Sequence, residues 1–389
     1  MPRTLICGAM PFGYGPAAKL LVIARALKDR GLSLVFIGRG IALELASRSA
    51  KMFDEVLTAQ SPHGVRAAVE RAAAVLSVMD RELAQAATVS GAPLYVVDSL
   101  LWMRDAVPPA FRDACRYWAQ DFLGLREIQG DYQPAPSIVG PIVSLEAGRR
   151  DTAAEHLLVN LGGCEAPDGA DANVRAYADF VVGGFLGSPL AERFAGRSTV
   201  IAGVRCIEAL QARYAGHDVE FVSLSHEAAL ERLARASLVM TSPGLTMMLE
   251  SFQHGVPTFF LPPQNYSQWC TLRLLRDAGL APHALHWEDL SPTLRLRDRM
   301  PESERNPVVR TAIASFTAET GARARFDRCL AEVDRFDHTV LGDRQQRFFG
   351  SLGRNGAPTI ADQIADDLQF PQNRADLAPS RHRSGEAAE

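Results

Sequence analysis

Short apolar runs alternate along the chain with segments whose apolar residues recur at helical spacing. The apolar run 4–10 is followed by a glycine-rich loop, and helical periodicity over 20–27 then continues until Gly31. A second apolar run covers 32–38. This order of strand, glycine loop, helix and strand predicts the first crossover of a parallel sheet.

The same alternation continues through both halves of the chain. In the first half one alanine-rich helix is expected over about 65–88, and further strands are expected at 56–57, 94–97 and 117–119. In the second half, helix-sized segments separate strands expected at 156–161, 199–203, 219–222, 237–240 and 258–261. The pattern therefore predicts an α/β protein with two Rossmann-like parallel-sheet domains that face a cleft.

Proline-rich sequence interrupts this periodicity at 134–136 and again at Pro141, which predicts a domain linker there. A last helix is expected over about 314–335, and the residues beyond 370 include almost no large apolar side chains. The predicted divisions are an N-terminal domain 1–145, a C-terminal domain 150–335, a helical segment 336–370 and a disordered tail 371–389.

Composition excludes several classes of protein. The chain has 389 residues, of which 47% are hydrophobic and 22% charged, with a net charge of −4, so a polybasic nucleic-acid binder is not expected. No window of about 20 residues is uniformly apolar and no signal-peptide pattern opens the chain, which predicts a cytoplasmic protein without an integral membrane segment. The six cysteines form no C-x-x-C pair, which disfavours a zinc site. A homodimer is compatible with the sequence.

The strongest chemical pattern lies between residues 239 and 274. A predicted strand runs into Ser242-Pro243-Gly244, and a helix that carries Glu250 follows. The N-terminus of such a helix suits a phosphate or diphosphate, and glycine allows the anion to approach the backbone. A carboxylate near the first two turns can accept both hydroxyls of a ribose, and the amides of Gln264, Asn265 and Gln268 can bind sugar hydroxyls. Each part alone could be a turn, a solvated helix residue or a polar loop, but the combination favours a nucleotide-sugar site.

These residues, together with Gly255-Val256-Pro257 and Pro262-Pro263, resemble the donor-site signature of glycosyltransferases with the GT-B fold. The pattern is similar to that of the N-acetylglucosaminyltransferase that forms lipid II and of natural-product glycosyltransferases. The resemblance implies no cofactor and no metal ion, with a nucleotide sugar and a small-molecule acceptor as partners. It implies that the donor is bound by Gly13, Gly15, Gly162, Gly163, Leu224, Ser225, His226, Ser242, Pro243, Gly244, Leu245, Thr246, Glu250, Gln264, Asn265 and Gln268.

The N-terminal loop departs from the family pattern, because many inverting members carry a basic histidine where this chain reads Phe12-Gly13-Tyr14-Gly15-Pro16. Tyr14 is a poor base at its ordinary pKa near 10. Asp98, at the end of a predicted strand, is the preferred candidate for the base, although a helix-capping role is an equal alternative. Asp121 is a weaker second choice.

The missing histidine suggests an acceptor that needs little activation, such as a heteroaromatic nitrogen or a phenol. Trp102, Trp118 and Asp121 are the expected acceptor-binding residues, with the hydrophobic core as the alternative location for the two rings. The sequence therefore predicts an inverting transfer of a sugar, with a UDP-type donor favoured, to a small heteroaromatic or natural-product acceptor. A sugar-nucleotide 2-epimerase and a catalytically silent binding protein are the alternatives.

Overall fold

The structure is a computed structural model that describes residues 3–28, 30–144, 155–164 and 171–369. The predicted tail 371–389 lies outside the described residues. Two parallel sheets dominate the architecture, one of seven strands and one of five. This confirms the α/β class and the two parallel-sheet domains expected from the apolar runs.

The first sheet has the order β3-β2-β1-β4-β5-β6-β7, and all its strands are parallel. Its strands are β1 (Arg3–Ala9), β2 (Leu32–Gly38), β3 (Glu55–Thr58), β4 (Ala74–Val78), β5 (Leu94–Asp98), β6 (Arg116–Gln120) and β7 (Ser137–Val139). The helices that connect or follow these strands are α1 (Tyr14–Leu27), α2 (Gly40–Arg48), α3 (Pro62–Val69), α4 (Arg81–Ser90) and α5 (Leu125–Ile128). Because helices cover both faces, the central strands β4 and β5 are buried at every position, and Ile6 of β1 pairs with Val35 on one side and Val75 on the other.

The single helix expected over 65–88 is wrong. This stretch contains α3, the fully buried strand β4 and α4. β4 lies between β1 and β5, where a short Ala-Val-Leu-Ser-Val run is buried on both faces. The sequence did not predict this strand, because alanine-rich segments flank it and an apolar run of five residues is equally compatible with a buried helix. Asp80, which follows β4, caps α4 with its carboxylate.

The second sheet has the order β10-β9-β8-β11-β12 and is also parallel. Its strands are β8 (Leu157–Asn160), β9 (Ser198–Ile201), β10 (Glu220–Val222), β11 (Leu238–Thr241) and β12 (Thr258–Phe260). Its helices are α6 (Asp171–Leu186), α7 (Pro189–Arg193), α8 (Val204–Arg213), α9 (His226–Ala234), α10 (Leu245–Gln253), α11 (Tyr266–Asp277), α12 (Trp287–Leu290), α13 (Glu302–Ala318) and α14 (Thr320–Arg335). The helix expected over 314–335 is two helices, since Glu319 is extended and pairs with Arg325.

The last two helices, α15 (His338–Ser351) and α16 (Gly356–Gln369), pack on different domains. α15 lies against α10 of the C-terminal domain, whereas α16 lies against α1 of the N-terminal domain. The side chains of Ile360, Ile364 and Leu368 are buried in the N-terminal core. Asp367 accepts two hydrogen bonds from Arg116, at 2.6 and 2.7 Å. None of the helices in the described ranges is long and apolar enough to cross a membrane.

The chain crosses between the domains twice, and the two crossings lie side by side. The predicted linker around 134–141 includes β7, so the first crossing begins later, near Val143. The second crossing joins α15 to α16. Backbone N–H of Gly356 donates to the carbonyl of Pro141 at 3.0 Å, and the Asn355 amide donates to the carbonyl of Val143 at 2.7 Å.

Candidate functional site

The carboxyl ends of both sheets face a cleft between the domains, as expected for ligand sites in open parallel sheets. Two adjoining cavities occupy this cleft. The first, which we call the glycine-loop cavity, has a volume of about 210 Å³ and is lined by the β1–α1 loop of one domain and the starts of α9 and α10 of the other. The second has a volume of about 530 Å³ and is lined by residues of both domains, among them Asp80 after β4 and Gln264 after β12. We call it the Asp80 cavity. The two cavities share lining residues that include Gly13, Gly162 and Gly163.

The glycine loop at the start of α1 requires backbone freedom at Gly13. This residue has φ 71° and ψ 151°, a conformation that side chains disfavour, and it precedes the first turn of the helix. Across the cleft, a Cβ on Gly163 would lie 3.4 Å from the Cα of Gly13 and 2.6 Å from Cδ1 of Ile41. The absence of side chains therefore allows the loops of the two domains to approach closely.

The start of α10 carries the predicted anion site. Gly244 is the N-cap residue with an extended backbone, and no side chain of the described residues caps the helix, so the first backbone N–H groups are available to a ligand. Ser242, Pro243, Gly244, Leu245 and Thr246 all line the glycine-loop cavity. Asn160, at the end of β8, holds two loops together: its amide donates to Thr241 at 2.9 Å, and its oxygen accepts from Gly162 N–H at 3.0 Å.

Glu250 and His226 form a buried pair at the same cavity. Glu250 is 1% exposed, and its Oε1 lies 2.7 Å from Nε2 of His226. Burial opposes protonation of the His226 imidazole, but the Glu250 carboxylate outweighs it and raises the pKa of His226. His226 is the first residue of α9, and Leu224 and Ser225 precede it along the cavity. The structure thus brings the loop 224–226, one of the predicted donor-binding segments, next to Glu250.

The amide residues after β12 are placed at the junction of the two cavities. The Gln264 side chain lines the Asp80 cavity and donates to the carbonyl of Leu161 at 2.6 Å. Gln268 accepts from the Gln264 backbone N–H at 2.8 Å, while Asn265 is exposed and caps α11. Asn265 and Gln268 line both cavities.

Lys19 is a site residue that the sequence did not reveal. It lies on α1, is 1% exposed and lines the glycine-loop cavity. Its ammonium donates to Oγ1 of Thr246, across the domain interface, at 2.6 Å. Burial lowers the pKa of Lys19 to about 8, although the charge of Glu250 acts to raise it. The only available signal was that Lys19 is one of three lysines in a chain with 41 basic residues.

The two predicted bases have partners of their own. Asp98 is fully buried, accepts from Leu100 N–H at 2.7 Å and from the Tyr117 hydroxyl at 3.0 Å, and lies 3.3 Å from Arg104. It lines neither of the two cavities. Tyr14 lines the glycine-loop cavity, and its hydroxyl donates to Glu44, which does not line that cavity, at 3.1 Å. Burial, and then the charge of Glu44, raises the pKa of Tyr14 and keeps the phenol protonated.

Among the described residues, three carboxylates line the second cavity: Glu82 is paired with Arg39, Glu302 is paired with Arg81, and the third is Asp80. Its Oδ1 accepts from the N–H groups of Glu82 and Leu83, both at 3.1 Å, at the start of α4. Burial raises the pKa of Asp80 to about 6, and the two backbone hydrogen bonds only partly offset this. Met79 precedes it with φ 62°, an unfavourable conformation for a side-chain-bearing residue. The missed strand β4 is the reason that the sequence did not indicate Asp80.

The predicted acceptor residues are not brought to the two cavities. Trp102 packs on Phe122 in the core, with its Nε1 donating to the carbonyl of Ser99 at 3.0 Å. Trp118 is fully buried and donates to Gln363 of α16 at 2.8 Å. Asp121 is 3% exposed and pairs with Arg126 at 2.7 Å.

The second cavity is instead bordered by apolar side chains from the β1 and β4 loops and their neighbours, among them Met10, Phe12, Met79, Leu100 and Met103. Among the residues that the structure describes, no group of three or more His, Cys, Asp or Glu side chains could hold a metal ion. Metal independence stays a prediction.

Two parallel-sheet domains, a cleft between their carboxyl edges and a last helix that returns to the first domain define the GT-B fold. Solved structures with this fold match nearly the whole chain. A UDP-glucosyltransferase from Polygonum tinctorium, in complex with 3,4-dichloroaniline, has 13% identity and a TM-score of 0.52, with 95% of this chain and 99% of that chain covered.

S. aureus MnaA in complex with UDP has 10% identity and a TM-score of 0.51, over 98% of this chain and 99% of that chain. Arabidopsis thaliana UGT89C1 in complex with quercetin has 10% identity and a TM-score of 0.51, over 95% of this chain and 100% of that chain. At these identities the similarity concerns the fold. No protein-family model and no curated protein matches the chain.

Proposed function

We propose that this protein transfers a sugar, with inversion, from a nucleoside diphosphate sugar to a small acceptor, and that UDP is the favoured nucleotide. The observation that carries the proposal is the meeting of three features in one cleft. These are the uncapped start of α10 at Gly244, the buried Glu250–His226 pair and the positive-φ turn at Gly13 of the opposite domain. The first two suit the diphosphate and the ribose of one donor, and the third allows the loops of the two domains to approach closely beside them.

The diphosphate would accept hydrogen bonds from backbone N–H groups at the start of α10, where the helix dipole also favours negative charge. The ribose hydroxyls would donate to Glu250, whose Oε1 is already oriented by His226. The nucleobase would lie along Leu224 and Ser225, and the sugar would meet Gln264 and Asn265 at the junction of the two cavities. With the helix start stabilising the leaving diphosphate, we expect transfer without a metal ion.

The acceptor would occupy the Asp80 cavity. Its apolar lining, from Met79, Leu100 and Met103 on one side, supports a small and largely flat molecule, such as a phenol or a heteroaromatic compound. In the reaction, the acceptor atom forms a bond to the anomeric carbon while the bond from that carbon to the β-phosphate oxygen breaks. The electron pair leaves with the diphosphate, and the proton of the acceptor passes to a carboxylate.

Two carboxylates of the N-terminal domain are candidates for this proton. Asp98 is the one that the sequence predicts, but both its oxygens already accept hydrogen bonds inside the core. Asp80 lines the cavity, and its Oδ2 accepts no hydrogen bond from any other described residue. A pKa of about 6 also suits a base that works near neutral pH. We therefore assign the base role to Asp80 and keep Asp98 as the tested alternative.

Calorimetric titration with UDP, dTDP, GDP and CDP tests the donor site. We expect one diphosphate to bind the wild-type protein and Glu250→Gln to weaken that binding by about 10- to 100-fold, because a ribose hydroxyl then loses a charged acceptor. The exposed Glu231→Gln on α9 is the matched control and should bind as the wild type does. If none of the four diphosphates binds, the glycosyltransferase proposal is wrong.

The reaction type needs a separate measurement, in which a nucleotide sugar is incubated with and without acceptors. Transfer requires that the diphosphate be released only when an acceptor is present. Conversion of the sugar nucleotide without any acceptor would identify a 2-epimerase, and binding without turnover across acceptors would identify a silent GT-B protein. Either result would overturn the transfer reaction while leaving the donor site in place.

A further inference from the structure

The ammonium of Lys19 occupies an unusual position for a buried charge. Helix α1 is apolar on nearly all sides, and Lys19 lies among Ala18, Leu20 and other buried residues of that helix. Its Nζ reaches out of the N-terminal domain to Thr246, in the first turn of α10. The Thr246 hydroxyl donates its own proton to the carbonyl of Gly15 at 3.3 Å, so its oxygen accepts a hydrogen bond from the Lys19 ammonium.

The local electrostatics do not balance this charge. An ammonium has three donors, yet within the described ranges the Lys19 Nζ has Thr246 as its only hydrogen-bond partner and no carboxylate within 4.0 Å. The start of α10 adds the positive end of a helix dipole beside it. A buried cation next to a positive helix end is costly unless an anion lies near both. Glu250 interacts with Lys19 from beyond hydrogen-bond distance and compensates only in part.

We propose that Lys19 is a ligand of the donor diphosphate, contributed by the N-terminal domain to a site whose remaining anion ligands belong to the C-terminal domain. This inference rests on the proposed function and adds to it. Among the described residues that line the glycine-loop cavity, Lys19 is the only lysine or arginine. The other titratable side chains of this described lining are Tyr14, His226 and Glu250. The diphosphate would replace Thr246 as a partner of the ammonium and fill its free donor positions.

Two consequences follow from this placement. As the bond from sugar to diphosphate breaks, negative charge grows on the leaving group, and the Lys19 ammonium stabilises this charge together with the adjacent start of α10. Because the lysine and the helix belong to different domains, the diphosphate links them, and donor binding favours the closed cleft. A free acceptor offers no such anion, so the donor rather than the acceptor would close the domains.

The test compares Lys19→Met with Lys28→Met, the same substitution at the exposed C-terminal end of α1. UDP binding is measured by calorimetry, and uridine binding by ligand-observed NMR with UDP as the competitor. We expect Lys19→Met to lower UDP affinity by about 10- to 100-fold and to leave uridine affinity within about twofold, because only the phosphates contact the ammonium. Lys28→Met should change neither value.

Stability and proton uptake provide independent readouts. Methionine fills the volume of the lysine stem without a buried charge, so the ligand-free Lys19→Met protein should melt no lower than the wild type. At pH 8.5, UDP binding should draw a fraction of a proton onto the wild-type protein, since an adjacent anion raises the pKa of an ammonium that is near 8. Lys19→Met retains His226, Glu250 and Tyr14, so loss of this uptake in the variant assigns it to Lys19.

The outcomes separate the two proposals. If the wild-type protein binds no nucleoside diphosphate, the proposed function itself fails. If the wild type binds UDP and Lys19→Met binds it equally well, the donor site stands and the role of Lys19 is wrong. A parallel loss of uridine and UDP affinity in Lys19→Met would assign Lys19 to structural packing and would also overturn the inference.

Discussion

Replacing Asp80 by asparagine should make the protein more stable and much less active. Asparagine keeps an oxygen that can accept from the N–H groups of Glu82 and Leu83, so the cap of α4 is retained. What it removes is the buried negative charge. The difference between a pKa of about 6 and the ordinary 3.8 corresponds to about 3 kcal/mol, which is the destabilisation that an ionised Asp80 imposes at neutral pH.

The sign of this effect sets its pH dependence. Because the pKa of Asp80 is raised by folding, its favourable contribution is present below pH 3.8 and is lost as the pH rises through about 6. Asp80→Asn should therefore gain up to about 3 kcal/mol over the wild type at pH 7.5 and less than about 1 kcal/mol at pH 4. Urea unfolding at the two pH values, followed by tryptophan fluorescence, measures both numbers.

Activity should move in the opposite direction. Loss of a general base costs about 10²- to 10⁴-fold in turnover. In the wild type kcat should rise with pH through about 6, as Asp80 loses its proton. The assay is the initial rate of diphosphate release with a phenolic acceptor. Turnover of Asp80→Asn equal to that of the wild type, or a loss of stability at pH 7.5, would refute the reasoning.

Asp98→Asn is the informative comparison. This change removes the negative partner of Arg104, whose side chain is 13% exposed, and loss of one partner of a buried ion pair costs about 3–5 kcal/mol in other proteins. It should therefore destabilise at pH 7.5, where Asp80→Asn stabilises. If a folded Asp98→Asn protein loses turnover as completely as Asp80→Asn while binding the donor normally, the base role returns to Asp98.

Two further predictions concern the domains. Ile364→Ala, at a fully buried position of α16, should lower the free energy of unfolding by about 2–5 kcal/mol, and Val340→Ala, at a side chain 51% exposed on α15, by less than about 0.5 kcal/mol. Equal values from urea unfolding would contradict the packing of α16. Gly163→Val should hold the domains apart, because a Cβ there meets Ile41 at 2.6 Å, whereas Gly130→Ala enters open space. We expect reduced kcat/KM for the first variant only, at unchanged melting temperature for both.

The fold could be predicted from the sequence wherever one apolar run corresponds to one strand. Strands β1, β2 and β8 to β12 are such runs, and the glycine loop and the start of α10 lie where the pattern predicts them. β4 was missed because its neighbours are equally rich in alanine. That omission also concealed Asp80, since a residue in the middle of a helix gives no reason to expect a cavity beside it.

The site could be predicted only where its residues are local in sequence. Glu250 lies within one loop-and-helix unit with Gly244, and that unit alone suggested its role. Lys19 and Thr246 are 227 residues apart, and their contact depends on how two domains face each other. Trp118 is the middle residue of β6, and its ring points to the face that α16 covers. A strand pattern cannot choose between two faces that are both buried.

The return of α16 to the first domain has a consequence for synthesis of the chain. The apolar face of α1 that receives Ile360, Ile364 and Leu368 is synthesised before the second domain, and the helix that covers it is synthesised after that domain. On the ribosome the domain that begins first is therefore completed last, after the second domain has emerged. Until then its uncovered face is open to aggregation or to a chaperone, and a chain that stops before residue 356 would keep that face permanently exposed.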